Sequence, residues 1–291
     1  MNKKIFALGF FDGVHLGHQA LLEECVRMAG RIHAIPAAIT FERHPKSLFV
    51  DMPPVLINSI EDRKRLLRRC GMEEIQVLPV NQQSMSRHWR DFLEELLAGG
   101  AAGFVCGDDF RFGHKGEGNA EKLGLFCAEK GLPCVIVPEQ TLDGIRISST
   151  YIRGLIEAGE MENASKFLGH PPVLSGEVVH GRHLGRTIGV PTANILIPEG
   201  VAVPQLGVYA CTCELDGRIY VAVTNIGSRP TVGGRQVRAE SWILDFSGDL
   251  YGKHITLHFH KFLRPEQKFD SLEALKSQIQ KDAAEAYRIL K

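Results

Sequence analysis

Two histidines three residues apart, His15 and His18, stand in GFFDGVHLGH (9–18) beside Gly9, Gly13 and Gly17. Imidazoles at a glycine-rich corner can donate hydrogen bonds to phosphate oxygens as charge builds in a transition state. Bare backbone N–H groups and a helix N-terminus can take up more of that charge. The plainer account makes these turn residues with one helix-facing histidine, which two histidines among three glycines fit poorly. No Walker lysine accompanies the corner.

Further along, TFERHP (40–45) places His44 before Pro45, which biases it to extended backbone and so closes a strand. GDDFRFGHKGEGN (107–119) is a glycine-rich loop carrying Phe110, Arg111 and Phe112. The rings can stack on a planar ligand and the guanidinium can meet a phosphate, or the rings can simply pin the loop to the core. In RISSTYIR (146–153), Ser148, Ser149 and Thr150 precede or open a helix, where N-capping is their ordinary use. With Arg153 one turn later they also make an anion site.

The second half has its own dense stretch, GRHLGRTIGVPTAN (181–194), which reads as a loop laid over a ligand. Thr192 and Asn194 offer neutral oxygens suited to a Mg²⁺ that keeps phosphate and water ligands, and both types are common turn residues too. NIGSRPT (225–231) leaves a strand through glycine and proline, and Glu240 leads the alternating run ESWILDF. A glutamate in a pocket mouth can act as general base toward a hydroxyl; otherwise it is a solvated strand residue. The basic run Arg63, Lys64, Arg65, Arg68 and Arg69 reads as the solvated face of a helix.

The elements that must position these residues follow from periodicity. Short apolar runs at 5–8, 34–41, 75–80, 103–106 and 134–137 alternate with helical patterns at 18–29, 60–70, 87–98, 119–130, 149–158 and 160–168. That alternation predicts a parallel sheet covered by helices on both faces, with ligands beyond the carboxyl ends of its strands. His15, His18, His44 and the 109–113 loop all follow strands in that way. After Pro171 and Pro172 the pattern changes to strands at 173–180, 207–214, 218–226, 238–246 and 253–262, with Asp216-Gly217 as a hairpin turn. A closing helix at 270–290 completes what reads as a small antiparallel β-barrel. The expected boundary lies between 169 and 170.

Composition narrows the class. The chain has 291 residues, 44% hydrophobic and 23% charged, with formal net charge +0. Two ordinary domains fit that length, and a neutral chain offers no global field for nucleic acid or an anionic membrane. No apolar run reaches transmembrane length and no leader pattern opens the chain, so cytoplasm is the expectation. Seven scattered cysteines, an odd number, read as small buried hydrophobes in a reducing compartment rather than as metal ligands. The oligomeric state is not legible.

Taken in order, these motifs resemble the prokaryotic bifunctional riboflavin kinase/FMN adenylyltransferase family over nearly the whole chain. GFFDGVHLGH, TFERHP, DFRFG and RISSTYIR resemble its nucleotidyltransferase half. HGRHLGRTIGVPTANI, GVY, TNIGSRPT, the Glu240 strand ending in LDFSGDLYGK, and FLRPEQKFDSLEALKSQI resemble its kinase half. The resemblance implies that ATP phosphorylates riboflavin to FMN in the second domain, and that FMN is adenylylated by a second ATP to FAD and pyrophosphate in the first. It implies Glu240 as base for the ribityl hydroxyl, with Thr192 and Asn194 on Mg²⁺. His15 and His18 would stabilise the α-phosphate charge. Nucleotide contacts would fall to Gly9, Phe11, Asp12, Gly13, Gly17, Ser148, Ser149, Thr150 and Arg153, and in the second domain to Gly181, Gly185, Thr187 and Pro191. Flavin contacts would fall to His44, Asp109, Phe110, Arg111 and Asn119, and to Asn225 and Arg229. Three departures touch flavin binding rather than either chemical step: Arg43 where proline is usual, Asp108 before Asp109, and His170-Pro171-Pro172 without a tyrosine. A chain with one live activity and a non-catalytic flavin-binding module are the rival readings, and turnover of riboflavin with ATP and Mg²⁺ separates them.

Overall fold

The computed structural model describes residues 2–180, 189–231 and 234–291, and the side chains of these except 229–231, 234 and 235. It divides into two compact units, one of Met1–Leu56 with Ile60–Ser149 and one of Ile57–Ser59 with Thr150–Lys291.

The first unit is built on a parallel sheet of β1 (Lys4–Leu8), β2 (Ile35–Phe41), β3 (Glu74–Leu78), β4 (Ala101–Gly107) and β7 (Cys134–Val137), in the order β3-β2-β1-β4-β7. Two-residue ladders join β5 (Arg111–Phe112) to β6 (Gly118–Asn119) and β8 (Thr141–Leu142) to β9 (Ile145–Arg146). The helices of this unit are α1 (Leu16–Ile32), α2 (Ile60–Arg69), the one-turn α3 (Gln82–Met85), α4 (Trp89–Ala98) and α5 (Ala120–Lys130). β1 and β4 are continuous apolar runs because both faces are covered. Phe6, Leu8, Phe104 and Cys106 pack with Leu93, Leu123 and Phe126 of α4 and α5. Each large apolar side chain so buried contributes roughly 1.5–3 kcal/mol. The chain moves from β1 outward to β2 and β3, then returns to β4 on the other side of β1. Such a reversal opens a crevice at the carboxyl end of the central strand, where the sequence places its histidines.

The second unit begins with α6 (Ser149–Glu157, from its second residue) and α7 (Met161–Leu168), followed by six antiparallel strands. These are β10 (Val173–Glu177), β11 (Ala193–Leu196), β12 (Gly207–Leu215), β13 (Arg218–Thr231), β14 (Gly234–Ile243) and β15 (His254–Arg264), in the order β10-β15-β12-β13-β14-β11. A bridge from Val179, just past β10, to Asn194 of β11 brings the two edges together, so the barrel is nearly closed. Its interior is filled by Tyr209, Cys211, Cys213, Ile226, Leu257 and Phe259, all at most 2% exposed. The CxC therefore serves as packing. All seven cysteines are free thiols, five of them buried, and no metal-holding cluster of His, Cys, Asp or Glu exists among the described residues. The final helix, α8 (Leu272–Leu290), lays Ala283 and Ala286 on the outer face formed by Val208, Ala210, Val223 and Leu244. Asp216 and Gly217 both adopt positive φ, 48° and 76°, which matches the twist of a tight hairpin.

Two expectations change here. Ala193 and Asn194, read as the end of a loop over a ligand, open the edge strand β11 (Ala193–Leu196). Residues 225–231, read as leaving a strand, remain on β13, which runs on through Gly227 and Pro230 in register with β14. Short polar or glycine-containing strands carry no clear alternation, so only pairing with β14 makes them visible. Among the described residues no helix is long and apolar enough to cross a membrane.

Candidate active sites

At the end of β1 the backbone turns sharply. Phe11 and Val14 take positive φ, 59° and 43°, with Gly13 at 81° between them. Non-glycine residues in that region mark a conformation held by its surroundings; here Phe11 and Val14 are completely buried. Gly9 is needed for a close approach, because a Cβ there would come within 2.8 Å of the Phe11 ring. The turn delivers His15 to the N-cap of α1, where its Nδ1 accepts a hydrogen bond from the His18 backbone N–H at 3.3 Å. That bond leaves Nε2 to carry the proton in the neutral ring. The His15 and His18 rings stack with centroids 3.6 Å apart, and Phe11 meets His18 edge-on at 5.3 Å. Burial pushes the His15 imidazole down to about 4 from an ordinary 6.5. His18 is also held well below 6.5, by burial first and then by His15 and the Arg63 charge. Both rings are therefore neutral hydrogen-bonding groups at physiological pH, and His18 Nδ1 is buried without a partner.

One further residue of the first unit reaches this corner. Ser149 Oγ donates to the Asp12 carbonyl at 2.9 Å. Asp12 is itself 3% exposed. Ser148 and Arg153 are half-buried and Thr150 is exposed. Beyond β2, His44 sits edge-on to Phe10 with centroids 5.0 Å apart, and its Nδ1 accepts from the Lys46 N–H.

The 107–119 loop divides its labour. Phe112 is buried in the core and Phe110 stacks on it at 5.5 Å, so one ring anchors and the other lies half-exposed on top. Arg111 is exposed. Asp109 is exposed and bonded by Arg146 at 3.2 Å, and Arg146 also reaches Glu139 at 2.9 Å. Asn119 caps α5, its Oδ1 accepting from Lys122 N–H at 2.8 Å, which leaves its amide nitrogen for other use.

Sequence reasoning missed Arg63. Read as part of a solvated face, it is 0% exposed. Its Nη1 donates to the Phe41 carbonyl at 2.8 Å, the Thr40 hydroxyl at 3.1 Å and the Phe10 carbonyl at 3.3 Å, with its guanidinium over the Phe10 ring. Burial lowers it to about 10, opposed by the Asp12 charge, so it stays cationic at neutral pH. Asp62 and Arg63 point inward with Leu66 and Leu67, while Arg68 and Arg69 face outward. A helix with apolar positions on one side allows that assignment, but nothing in the run distinguishes Arg63 from its neighbours.

In the barrel, pairing brings three predicted residues into one row. Asn194 of β11 lies opposite Glu240 of β14, which lies opposite Asn225 of β13. Directly opposed residues share a face with Cβ atoms roughly 4.5–5.5 Å apart. Glu240 alternates with the fully buried Ala239 and Ser241, so the row is on the outer face and not in the barrel interior. Asn225 Nδ2 donates to Glu266 at 3.1 Å, a contact that sequence reasoning did not anticipate because Glu266 comes from the segment after β15. Asn194 is 4% exposed, and its Oδ1 is buried without a hydrogen-bond partner. Thr192 is half-buried and Pro191 exposed just before β11. Gly181, Gly185 and Thr187 lie outside the described residues, as does the Arg229 side chain.

Residues 168–290 match the riboflavin kinase family, and residues 1–151 match the FAD synthetase family. The chain belongs to the bifunctional riboflavin kinase/FMN adenylyltransferase family. Members from Listeria monocytogenes and Escherichia coli are 36% and 37% identical, each alignment covering 96% of this chain and 90% of the relative. A solved structure described as a macrolide-efflux protein from Streptococcus pneumoniae superposes with a TM-score of 0.86 at 32% identity, over 98% of this chain and 94% of that one. Both family halves are present in full order, so the chain is an enzyme with riboflavin kinase and FMN adenylyltransferase activities. Riboflavin, FMN and ATP are its small-molecule substrates.

Proposed function

We propose that FMN is adenylylated at the corner after β1 and that riboflavin is phosphorylated at the Asn194–Glu240–Asn225 row, with the functional boundary at 169/170. The first assignment rests on the stacked, neutral His15 and His18 at a parallel-sheet switch point. There the FMN phosphate attacks the α-phosphorus of ATP and pyrophosphate departs. Neutral imidazoles donate hydrogen bonds to the α-phosphate oxygens and gain strength as charge accumulates on them. Gly9, Phe11, Asp12, Gly13 and Gly17 shape the nucleotide's seat, and Ser148, Ser149, Thr150 and Arg153 at the head of α6 serve its outer phosphates. His44, Phe110, Arg111, Asp109 and Asn119 fall to the flavin.

The second assignment rests on one row of side chains set by register. Glu240 takes the proton of the ribityl hydroxyl as that oxygen attacks the γ-phosphorus of ATP and ADP departs with the bridging oxygen. Asn225 and Arg229 orient the flavin, and Gly181, Gly185, Thr187 and Pro191 belong to the nucleotide loop. Phosphoryl transfer is mostly positioning and charge neutralisation, which a loop and a single carboxylate can supply.

The donor set fits Mg²⁺. Asn194 Oδ1 is a buried oxygen without a hydrogen-bond partner, one strand from Glu240, and a hard cation takes such oxygens. Thr192 and Asn194 would hold it; bound there, Mg²⁺ neutralises phosphate charge. The scattered free thiols suit a reducing cytoplasm.

A chromatographic time course tests both halves. Riboflavin with ATP and Mg²⁺ should yield FMN and then FAD, and FMN as starting flavin should yield FAD directly. FMN that accumulates without conversion would overturn the assignment of adenylylation to the first unit.

A further inference from the structure

Arg63 is a guanidinium wholly withdrawn from water, which is expensive unless the charge is used or compensated. Its hydrogen bonds all leave from Nη1 and all end on neutral oxygens, those of Phe10, Thr40 and Phe41. Nε and Nη2 are buried and make none. The Phe10 ring lies under the guanidinium at 4.2 Å, a favourable but modest contact. A residue needed only to fill space between α2 and the sheet would do so more cheaply as leucine or methionine.

What Arg63 touches is specific. Phe10 is the last residue before the catalytic turn, and Thr40 and Phe41 are the last two residues of β2. The Thr40 hydroxyl also donates to the Phe10 carbonyl, at 2.7 Å. The Arg63 guanidinium and the Thr40 hydroxyl thus converge on one carbonyl and lock the exit of β1 to the exit of β2. His44 rests against the same Phe10 ring. A lock between two loops fixes the distance between the groups each loop carries, and a displacement of about 1 Å in such a site can cost about a hundredfold in rate.

We propose that Arg63 is a positioning residue for adenylyl transfer, holding the His15–His18 corner and the His44 loop in register around the nucleotide and flavin phosphates. Its charge also reaches His18, where it opposes protonation of the ring, and Asp12, whose charge opposes loss of its own proton. Its hydrogen-bond partners are neutral, so countercharge in the corner comes from Asp12, and an anionic substrate adds to it. The inference rests on the assignment of adenylylation to the His15–His18 corner.

The test compares wild type, Arg63→Gln, Arg63→Lys and His18→Asn in the full chain, with both activities measured on each preparation. Arg63→Gln should lower kcat for FMN adenylylation by about a hundredfold, with KM for ATP and FMN changed by less than about threefold. Riboflavin phosphorylation should stay within about twofold of wild type. Arg63→Lys should recover about tenfold of the loss, because an ammonium keeps the charge and reaches some of the same carbonyls. Arg63→Gln with adenylylation kcat within about twofold of wild type overturns the inference. So does Arg63→Lys falling as far as Arg63→Gln while the thermal transition of the first unit is lost in both, which would mean packing alone. His18→Asn retaining full adenylylation would instead overturn the site assignment, whatever Arg63 does.

Discussion

His15 and His18 show how burial changes what a residue does. An exposed histidine pair would be part-charged near neutrality, but here desolvation keeps both rings neutral and donor-capable. The sign of the resulting pH dependence follows. Between an ordinary 6.5 and the folded value of about 4, the unfolded chain binds a proton that the folded corner refuses at His15. Stability is therefore complete above 6.5 and falls as pH drops toward 4, by about 3 kcal/mol from His15 alone. Denaturant midpoints at pH 7.5 and 5 should show about 2 kcal/mol of this loss in wild type and less in His15→Asn. Glu240 supports a second prediction at the same scale. Glu240→Gln keeps the shape and removes the base, so riboflavin phosphorylation should fall by a factor on the order of 10²–10⁴. Adenylylation of supplied FMN should remain near wild type, and a folded variant losing both activities would refute the division of labour.

Among the elements, α8 matters most to the kinase half. It covers the outer barrel face with Ala283 and Ala286 and is fastened by Asp282, which takes Arg264 through Nε and Nη2 at 2.8–3.1 Å and Gln278 at 2.9 Å. Arg264 ends β15 and pairs in register with Val208 of β12, which is opposite Asn225. Only strand β12 therefore separates the ion pair from the Asn225–Glu240 row. Asp282→Ala leaves a largely buried guanidinium unpaired and should cost about 3–5 kcal/mol. Calorimetry should show that loss in the barrel's transition, and riboflavin phosphorylation should fail at a lower temperature than FMN adenylylation. Edge strand β11 makes a related point. Asn194 faces Glu240 only because Ala193–Leu196 pairs with β14, and a one-residue slip would turn it into the barrel.

At the scale of the whole molecule, two family regions with separate residue sets imply separable chemistry. An equimolar mixture of Glu240→Gln and His18→Asn chains, each inactive in one step, should convert riboflavin to FAD through FMN released into solution. The rate should rise with FMN accumulation and fall when an excess of apoflavodoxin-like FMN trap is added. Failure of the mixture, with each variant keeping its other activity, would mean that FMN does not pass between chains.

The order of elements and the change from alternating helices and strands to strands alone were legible in the sequence. Hydrophobic periodicity and glycine placement are local properties, readable from consecutive residues. What only the tertiary structure decided depends on distant partners. Arg63 looks like any other arginine on α2 until the carbonyls of Phe10 and Phe41 converge on it. Glu240 has no inside or outside until Ala239 and Ser241 are seen to fill the barrel. Burial and register are sums over the whole fold: a residue's type sets what chemistry it can do, but its neighbours across the chain set its charge, its direction and what remains free to react.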